Sequence, residues 1–343
     1  MNASIKANHF ILELILERAK NMKNITSKRI SRLAILCFIL ATTMVALRIL
    51  DIHSANETAS IQIAHSQLYP QKNTENIPLN YSSHQVIVNT QLGFPLVVDN
   101  RDGIVGKYLL NSGLWEQNIS QVLNRLVAKG DTVVEVGANY GYHTIHVSQL
   151  IGDSGKLFTY EANDEVCHIL NKNIILNDAQ HNTHMRCLAV LDNFDKADFL
   201  TGYSNLGGSF VIGPHADRAS LLGSEQYNGW KKKAVLSTTL DYDLKDLQNI
   251  DILRMDAEGA ELAIIKGASR LIDASPNLKL IMEWDVSMLG RFGKVASMLD
   301  HLENKGFKFY FINEDSTLSQ KNKFEMLSLP HCDLVLSRTT LQL

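Results

Sequence analysis

Apolar runs of strand length alternate with amphipathic runs of helical length from about residue 81 to the C-terminus. The run Thr132 to Val136 is β-branched on both sides of Glu135 and predicts a buried strand. Residues 164–177 place four apolar side chains on one helical face: Val166, Ile169, Leu170 and Ile174. Strands that alternate with helices predict a mostly parallel sheet covered by helices on both faces.

The same pattern locates the other elements. Strands are expected at 156–160, 185–190, 237–240, 250–255, 278–284, 307–313 and 333–337, with two more in 85–99 around a turn near Gly93. Helices are expected at 115–127, after Gly141, and at 259–272 and 294–304. The stretch 192–213 is rich in Gly, Ser and Asn and is expected to be a loop.

Two glycines, Gly137 and Gly141, follow the strand 132–136 and precede a helix. Glycine lets the backbone approach a ligand closely, and free N–H groups are expected at the helix start, so this turn suits a nucleotide-like cofactor. The dinucleotide fingerprint requires a glycine where Asn139 stands, which disfavours a pyrophosphate. Glu135, two residues before the first glycine, favours a cationic ligand instead.

Glu161 ends the next predicted strand, about 20 residues beyond the glycine turn. An acidic residue at that place can accept hydrogen bonds from ribose hydroxyls. The alternative is a plain tight turn with Glu161 on the surface. Glu135 and Glu161 together favour a nucleoside-type cofactor.

Three segments that occur in order carry a family resemblance: VEVGANYGYHT, YEAN, and IDILRMDAEGAELAIIKGA at 250–268. With RDGIVGKYLLNSGLWE at 101–116, they resemble the FkbM family of S-adenosylmethionine-dependent methyltransferases over about residues 99–284. The block most specific to the family comprises Arg254, Asp256, Glu258, Gly259 and Glu261. The family more often has Asp at the position of Glu135, Pro at that of Ala162 and Lys at that of Arg254.

The resemblance implies a Rossmann-like class I methyltransferase domain over residues 81–343, with a seven-stranded sheet that has one antiparallel strand near its edge. It implies S-adenosyl-L-methionine as the cofactor and a hydroxyl on a sugar, glycan or secondary metabolite as the acceptor. Glu135 would lie near the methionine amino group, and Glu161 would bind the ribose. Gly137, Ala138, Asn139 and Gly141 would lie against the methionine and ribose. Asp256 and Glu258 would be catalytic and face the methyl group and the acceptor.

Asp256 and Glu258 follow a predicted strand, at the edge where open α/β sheets bind ligands. A hydroxyl acceptor needs a base, and two nearby carboxylates raise each other's pKa, which suits that role. The alternative is that both residues organise the turn and cap the helix that follows. We expect no metal, although Asp256, Glu258 and Glu283 are possible hard ligands. His143 is expected to be a helix-start residue near the cofactor.

The uncharged run Leu33 to Leu47 follows several basic residues. We expect a basic, amphipathic segment at 1–29, a transmembrane helix at 30–52 and a polar linker or stem at 53–80. The basic flank predicts a cytoplasmic N-terminus and a domain on the other side. A signal-peptide hydrophobic region, a buried helix and a cytoplasmic protein remain open, since S-adenosylmethionine is made in the cytosol.

Composition narrows the class of protein further. A net charge of -3 over 343 residues, without a basic stripe, predicts no nucleic-acid partner. The four cysteines lack metal-ligand spacing, and we expect no disulfide framework. The competing functions are a nicotinamide-dependent oxidoreductase and a non-catalytic binding module on the same fold. The sequence leaves the oligomeric state open.

Overall fold

The computed structural model describes residues 82–341. The predicted segments 1–29, 30–52 and 53–80 lie outside the described residues. Among residues 82–341, none of the helices has both the length and the apolar character that crossing a membrane requires.

Most of the predicted strands lie close to their expected positions, but the strand expected at 237–240 instead lies at 231–238. Those of the described residues are β1 (Gln85–Asn89), β2 (Pro95–Asp99), β3 (Thr132–Val136), β4 (Lys156–Tyr160), β5 (Thr183–Arg186), β6 (Ala189–Val190), β7 (Lys196–Thr201), β8 (Phe210–Val211), β9 (Lys231–Thr238), β10 (Ile252–Met255), β11 (Lys279–Trp284), β12 (Lys308–Ile312), β13 (Leu318–Lys321) and β14 (Cys332–Ser337).

The helices separate most of these strands. They are α1 (Val105–Ser112), α2 (Gln117–Leu126), α3 (Tyr142–Ile151), α4 (Asp164–Leu176), α5 (Arg218–Gly223), α6 (Leu240–Asp243), α7 (Glu261–Gly267), α8 (Ser269–Ala274), α9 (Val286–Leu289), α10 (Val295–Asn304) and α11 (Lys323–Met326). The pattern missed α1, and the single helix expected at 259–272 is two helices that meet at Ala268.

The main sheet has the strand order β5-β4-β3-β10-β11-β14-β12-β13. Six strands run in one direction and β14 and β13 in the other, which confirms the mostly parallel sheet. The expected number of seven strands is wrong, because β13 adds an eighth at the edge. The sequence of β13 is LSQK, which contains no apolar run that would predict a strand. β13 pairs with β12 at the edge of the sheet.

Helices cover both faces of this sheet, as predicted. Val134 and Leu253 pack in one core with apolar side chains of α7, α8 and α10. Their neighbours Val133 and Ile252 point to the other face and pack against α2 and α3. Because side chains alternate along a strand, these near-continuous apolar strands serve two cores at once.

The chain reverses its direction of travel across the sheet at β3. It adds β4 and β5 on one side and then returns to place β10 and β11 on the other. Val136, the last residue of β3, pairs with Met255, the last residue of β10. Gly137 and Asp256 therefore emerge side by side at the switch point, where open α/β sheets bind ligands.

A second, four-stranded sheet has the order β6-β9-β7-β8. The prediction of a loop at 192–213 is wrong, because this stretch contains β7 and β8. β8 is only two residues long, and the Gly-rich residues between the strands dominated the composition. The strand expected at 185–190 is split between β5 of the main sheet and β6 of the small one.

The expectation about cysteines also needs correction. Cys167 of α4 and Cys187, which follows β5, form a disulfide with 5.7 Å between their Cα atoms. The two residues are 20 positions apart, and the β4–α4–β5 crossover brings them together. Spacing along the chain does not reveal a pair that tertiary packing creates.

Candidate active site

A cavity of about 390 Å³ opens at the carboxyl ends of β3, β4 and β10. This volume falls within the usual range for small-ligand sites. Its wall comprises residues 137–140 of the glycine turn, Glu161 and Ala162, residues 188–190, residues 205–211, and the acidic ends of β10 and β11. The cavity thus joins four of the six predicted cofactor residues to the predicted acceptor-side residues, whereas Glu135 and Gly141 do not line it.

Gly137 stands where the loops after β3 and β10 touch. Its φ is +85°, and a Cβ atom there would lie 1.7 Å from the carbonyl oxygen of Asp256. Both the backbone conformation and the absent space require glycine. Gly141 has a φ of +89° at the start of α3, and a Cβ there would lie 2.6 Å from Leu170 Cδ1. Asn139 adopts the left-handed region at φ +52°.

The backbone amides of the turn itself, residues 137–141, all have acceptors within the protein. Gly137 and Ala138 both donate to the carbonyl of Tyr160, at 3.0 and 3.1 Å. The N–H of Asn139 donates to Glu161, and those of Tyr140 and Gly141 donate within the turn. A phosphate would find no free amide in residues 137–141, which agrees with a cofactor that has no pyrophosphate.

Glu161 is buried and lines the cavity, so the surface alternative is wrong. Its two oxygens accept from the N–H groups of Asn163 at 2.7 Å and Asn139 at 2.8 Å. Each carboxylate oxygen keeps a second lone pair for a ligand hydroxyl. Burial raises the pKa of Glu161 to about 7, against the opposing effect of the backbone hydrogen bonds.

Glu135 lies under the turn and does not line the cavity. Its Oε2 accepts from Thr144 Oγ1 at 2.5 Å and Thr159 Oγ1 at 2.9 Å, and its Oε1 lies 3.5 Å from Arg254 Nη1. The structure therefore places Glu135 below the turn, where it supports the turn from outside the cavity.

Arg254 is the buried cation around which the acidic side chains gather. Its guanidinium lies 2.9 Å from Asp256, 3.4 Å from Glu116 and 3.5 Å from Glu135. Burial opposes its charge, but these three carboxylates, together with Asp333, outweigh burial and raise the pKa of Arg254. One guanidinium is thus shared among three carboxylates.

Asp256 and Glu258 do not cap α7. The backbone N–H of Ala257 donates instead to Glu261, at 2.7 Å, and the N-cap residue of α7 is Ala260, whose side chain cannot accept a capping hydrogen bond. Asp256 contacts Arg254, and Glu258 accepts no hydrogen bond from the residues that the structure describes. Both line the cavity. The capping alternative therefore does not account for these two side chains.

Burial and the repulsion of Asp256 raise the pKa of Glu258 to about 8. Burial also raises the pKa of Asp256, although Arg254 opposes that shift. A carboxylate with a pKa near neutrality can accept a proton from an alcohol and release it to solvent. Glu258 is also held at φ +54°, an uncommon conformation for a residue with a side chain.

Glu283, at the end of β11, joins these two carboxylates. One oxygen from each of Asp256, Glu258 and Glu283 lies within 4.8 Å of those of the other two. The Oε1 of Glu283 lies 3.5 Å from His331 Nε2, and its Oε2 is buried without a hydrogen-bond partner. Burial, followed by the repulsion of Asp256, raises its pKa well above the usual range.

Glu116 was not among the predicted site residues. Its contact with His143 was not predicted either. Glu116 adopts φ +42° at the start of α2, and its Oε2 lies 3.0 Å from His143 Nε2. Burial lowers the pKa of His143 well below its usual value, so its imidazole is neutral at pH 7. Glu116 is the last residue of the segment 101–116 that resembles the FkbM family. This resemblance was the only sequence signal that could have identified Glu116 as a site residue. Nothing in a separation of 27 residues indicates their contact.

Asp102 was also missed. Its oxygens accept from the N–H groups of Gly106 at 2.8 Å and Leu206 at 3.2 Å, and from Tyr140 Oη at 3.1 Å. This one buried carboxylate therefore ties the start of α1 and the wall at 205–211 to the glycine turn.

The solved structures to which this chain is similar include three methyltransferases. A putative rRNA methylase from Clostridium thermocellum shares 11% identity, covers 64% of this chain and 93% of its own, and has a TM-score of 0.40. An S-adenosylmethionine-dependent O-methyltransferase from Thermotoga maritima shares 10% identity, covers 77% of this chain and 96% of its own, and has a TM-score of 0.36. A putative methyltransferase from Streptococcus mutans in complex with SAH shares 8% identity, covers 64% of this chain and 96% of its own, and has a TM-score of 0.38. No curated protein matches the chain.

The family model provides the assignment. The model of the methyltransferase FkbM domain matches residues 135–309, just over half of the 343 residues. The match begins at Glu135 and includes Glu161, Asp256 and Glu283. This chain therefore belongs to the FkbM methyltransferase family and is an S-adenosylmethionine-dependent methyltransferase.

Proposed function

We propose that the protein transfers the methyl group of S-adenosylmethionine to a hydroxyl oxygen of a sugar, glycan or other secondary metabolite. The observation that carries this proposal is the convergence of Asp256, Glu258 and Glu283 in the cavity beside the glycine turn. These are proton-accepting groups with raised pKa, placed where an acceptor would meet a methyl group. The sugar or metabolite class rests on the family resemblance.

The reaction needs little covalent chemistry from the protein. A lone pair of the acceptor oxygen forms a bond to the methyl carbon, the carbon–sulfur bond breaks, and its electron pair stays on sulfur as a thioether. The hydroxyl proton passes to the carboxylate of Asp256 or Glu258. The walls of the cavity hold the two reactants in line and exclude water, which supplies most of the rate enhancement.

Charge supports the same placement of the cofactor. Its sulfonium and amino groups are cationic, and the cavity presents more carboxylates than the single guanidinium of Arg254 balances. Glu161 would accept from the ribose hydroxyls, and residues 137–139 would lie against the ribose and methionine, whereas Gly141 would shape the turn from outside the cavity. Glu135 would act on the methionine end through Arg254 or through water, because it does not reach the cavity.

We also propose that residues 30–52 anchor the domain to a membrane, with the N-terminus in the cytoplasm. The basic flank supports this orientation, and so does the Cys167–Cys187 disulfide, because disulfides persist in oxidising compartments. The cytosolic origin of the cofactor favours the opposite side.

Calorimetry on the full-length protein tests the cofactor site. S-adenosylmethionine should bind, and NAD should not. Glu161→Gln should weaken S-adenosylmethionine binding by about 10- to 100-fold, because a charge-assisted hydrogen bond to a buried group is lost. Affinity of the wild type should fall from about pH 8 to about pH 6 as Glu161 is protonated, and the variant should lose part of this dependence.

Glu314→Gln, in an exposed turn, is the matched control and should bind like the wild type. Undetectable binding of S-adenosylmethionine to the wild type would end the proposal. Binding of NAD in its place would revive the oxidoreductase.

Asp256→Asn tests the catalytic assignment. Once an acceptor has been found by transfer of labelled methyl groups into a lysate, kcat of this variant should fall by about 100-fold or more. Affinity for S-adenosylmethionine should change far less. Asp153→Asn, in the fully exposed turn before β4, should leave both values unchanged. An unchanged kcat in Asp256→Asn would remove this residue from the mechanism, and the absence of any labelled product would favour a non-catalytic module.

Reporter fusions at the C-terminus test the membrane orientation. Fused alkaline phosphatase should be active in a bacterial host, and a fused green fluorescent protein should stay dark, because the domain is expected outside the cytoplasm. The reverse pattern would overturn the orientation. Recovery of the full-length chain in the soluble fraction would overturn the anchor itself.

A further inference from the structure

We propose that Asp256, Glu258 and Glu283 form a binding site for one divalent metal cation at the acceptor end of the cavity. No metal was expected from the sequence. The arrangement of these three side chains argues otherwise, on geometry, on an unsatisfied buried oxygen and on local charge.

The geometry suits a hard cation. The three offered oxygens lie within 4.8 Å of one another. Oxygens bound to one Mg²⁺ or Ca²⁺ lie about 2.1–2.4 Å from it, so two ligands on opposite sides are separated by about 4.2–4.8 Å. All three residues line the cavity, which leaves the remaining coordination positions open to water or to an acceptor oxygen.

Glu283 provides the independent observation. Its side chain is 10% exposed, and its Oε2 is buried without any hydrogen-bond partner. Buried carboxylate oxygens in folded proteins are almost always hydrogen-bonded, ion-paired or bound to a metal. Glu283 is a residue of the cavity wall, so a cation between it and Asp256 would satisfy this oxygen.

Local charge points the same way. Arg254 contacts Asp256, but it is already shared with Glu116 and Glu135, and it makes no ion pair with Glu258 or Glu283. His331, whose side chain is 61% exposed, lies 3.5 Å from Glu283 and is too solvated to be a strong counter-ion. The charge of Arg291 lowers the pKa of Glu258, but the two side chains form no ion pair within 4.0 Å. Two carboxylates thus lack a close buried cation.

The cation would bind the acceptor hydroxyl by its oxygen and make the hydroxyl more acidic. This role rests on the proposed methyl transfer to a hydroxyl, whereas the binding of the cation does not. A cationic amine acceptor is the competing occupant, since it would also neutralise the cluster.

Manganese binding to the full-length protein tests the site. After removal of metals with a chelator and dialysis, Mn²⁺ titration followed by electron paramagnetic resonance should show one bound ion per chain. Glu283→Gln and Glu258→Gln should each weaken binding by about 10-fold or more, because each removes a charged ligand. Glu314→Gln should bind Mn²⁺ like the wild type.

Thermal unfolding separates a metal ligand from a merely structural residue. Glu283→Gln removes a buried carboxyl that is crowded by other carboxyls, so it should not lower Tm without metal, and it should reduce the rise in Tm that MgCl2 or MnCl2 gives the wild type. The proposal would be overturned if the wild-type protein bound Mn²⁺ no more tightly than Glu283→Gln and Glu258→Gln do. Stabilisation by a primary amine, with no bound Mn²⁺, would identify the competing occupant. Cofactor binding in chelator-containing buffer tests the methyltransferase site separately, so failure of one proposal is distinguishable from failure of the other.

Discussion

The contact between Gly137 and the carbonyl oxygen of Asp256 is the constraint on which the site depends. It exists because β3 and β10 are neighbours at the switch point and end in register at Val136 and Met255. Any side chain at Gly137 would occupy the place of that carbonyl. The contact lets the cofactor-side turn and the acidic loop share one cavity, and it brings the two carboxylates after β10 within reach of a bound cofactor.

The second organising feature is an excess of buried negative charge around one guanidinium. Arg254 holds Asp256, Glu116 and Glu135 in place, whereas Glu258 and Glu283 keep raised pKa values because burial and mutual repulsion act on them. A cavity of this kind attracts cations, whether the sulfonium of the cofactor or a metal ion, and disfavours phosphates. The raised pKa also makes the ionised form of these carboxyls a stronger proton acceptor than an ordinary carboxylate, which suits methylation of an alcohol.

Local pattern was sufficient for much of the fold, and interactions between distant segments account for what it missed. The β-branched run at β3, the amphipathic run of α4 and the carboxylate Glu161 each carry their own signal, and the structure contains all three where they were expected. β13 is polar and stable only through its pairing with β12, and β7 and β8 depend on β9, so no local pattern marks them. The Cys167–Cys187 disulfide and the Glu116–His143 contact arise in the same way. The sequence pattern identified Asp256 and Glu258 as candidate site residues. Only the tertiary structure shows that the N–H of Ala257 in the turn donates to Glu261 and not to Asp256 or Glu258.

Cofactor affinity of Gly137→Ala compared with Gly93→Ala tests the central claim most directly. Both glycines have positive φ, but a Cβ at Gly93 meets nothing within 4 Å. Each alanine costs about 1–2 kcal/mol of folding stability in the left-handed region, so this strain is common to both variants. By calorimetry on the full-length protein, Gly137→Ala should bind S-adenosylmethionine at least about 100-fold more weakly than wild type, a loss of about 2.7 kcal/mol, while Gly93→Ala should bind within about twofold. Equal, near-wild-type affinity in both variants would contradict the claim that this backbone contact builds the cofactor site.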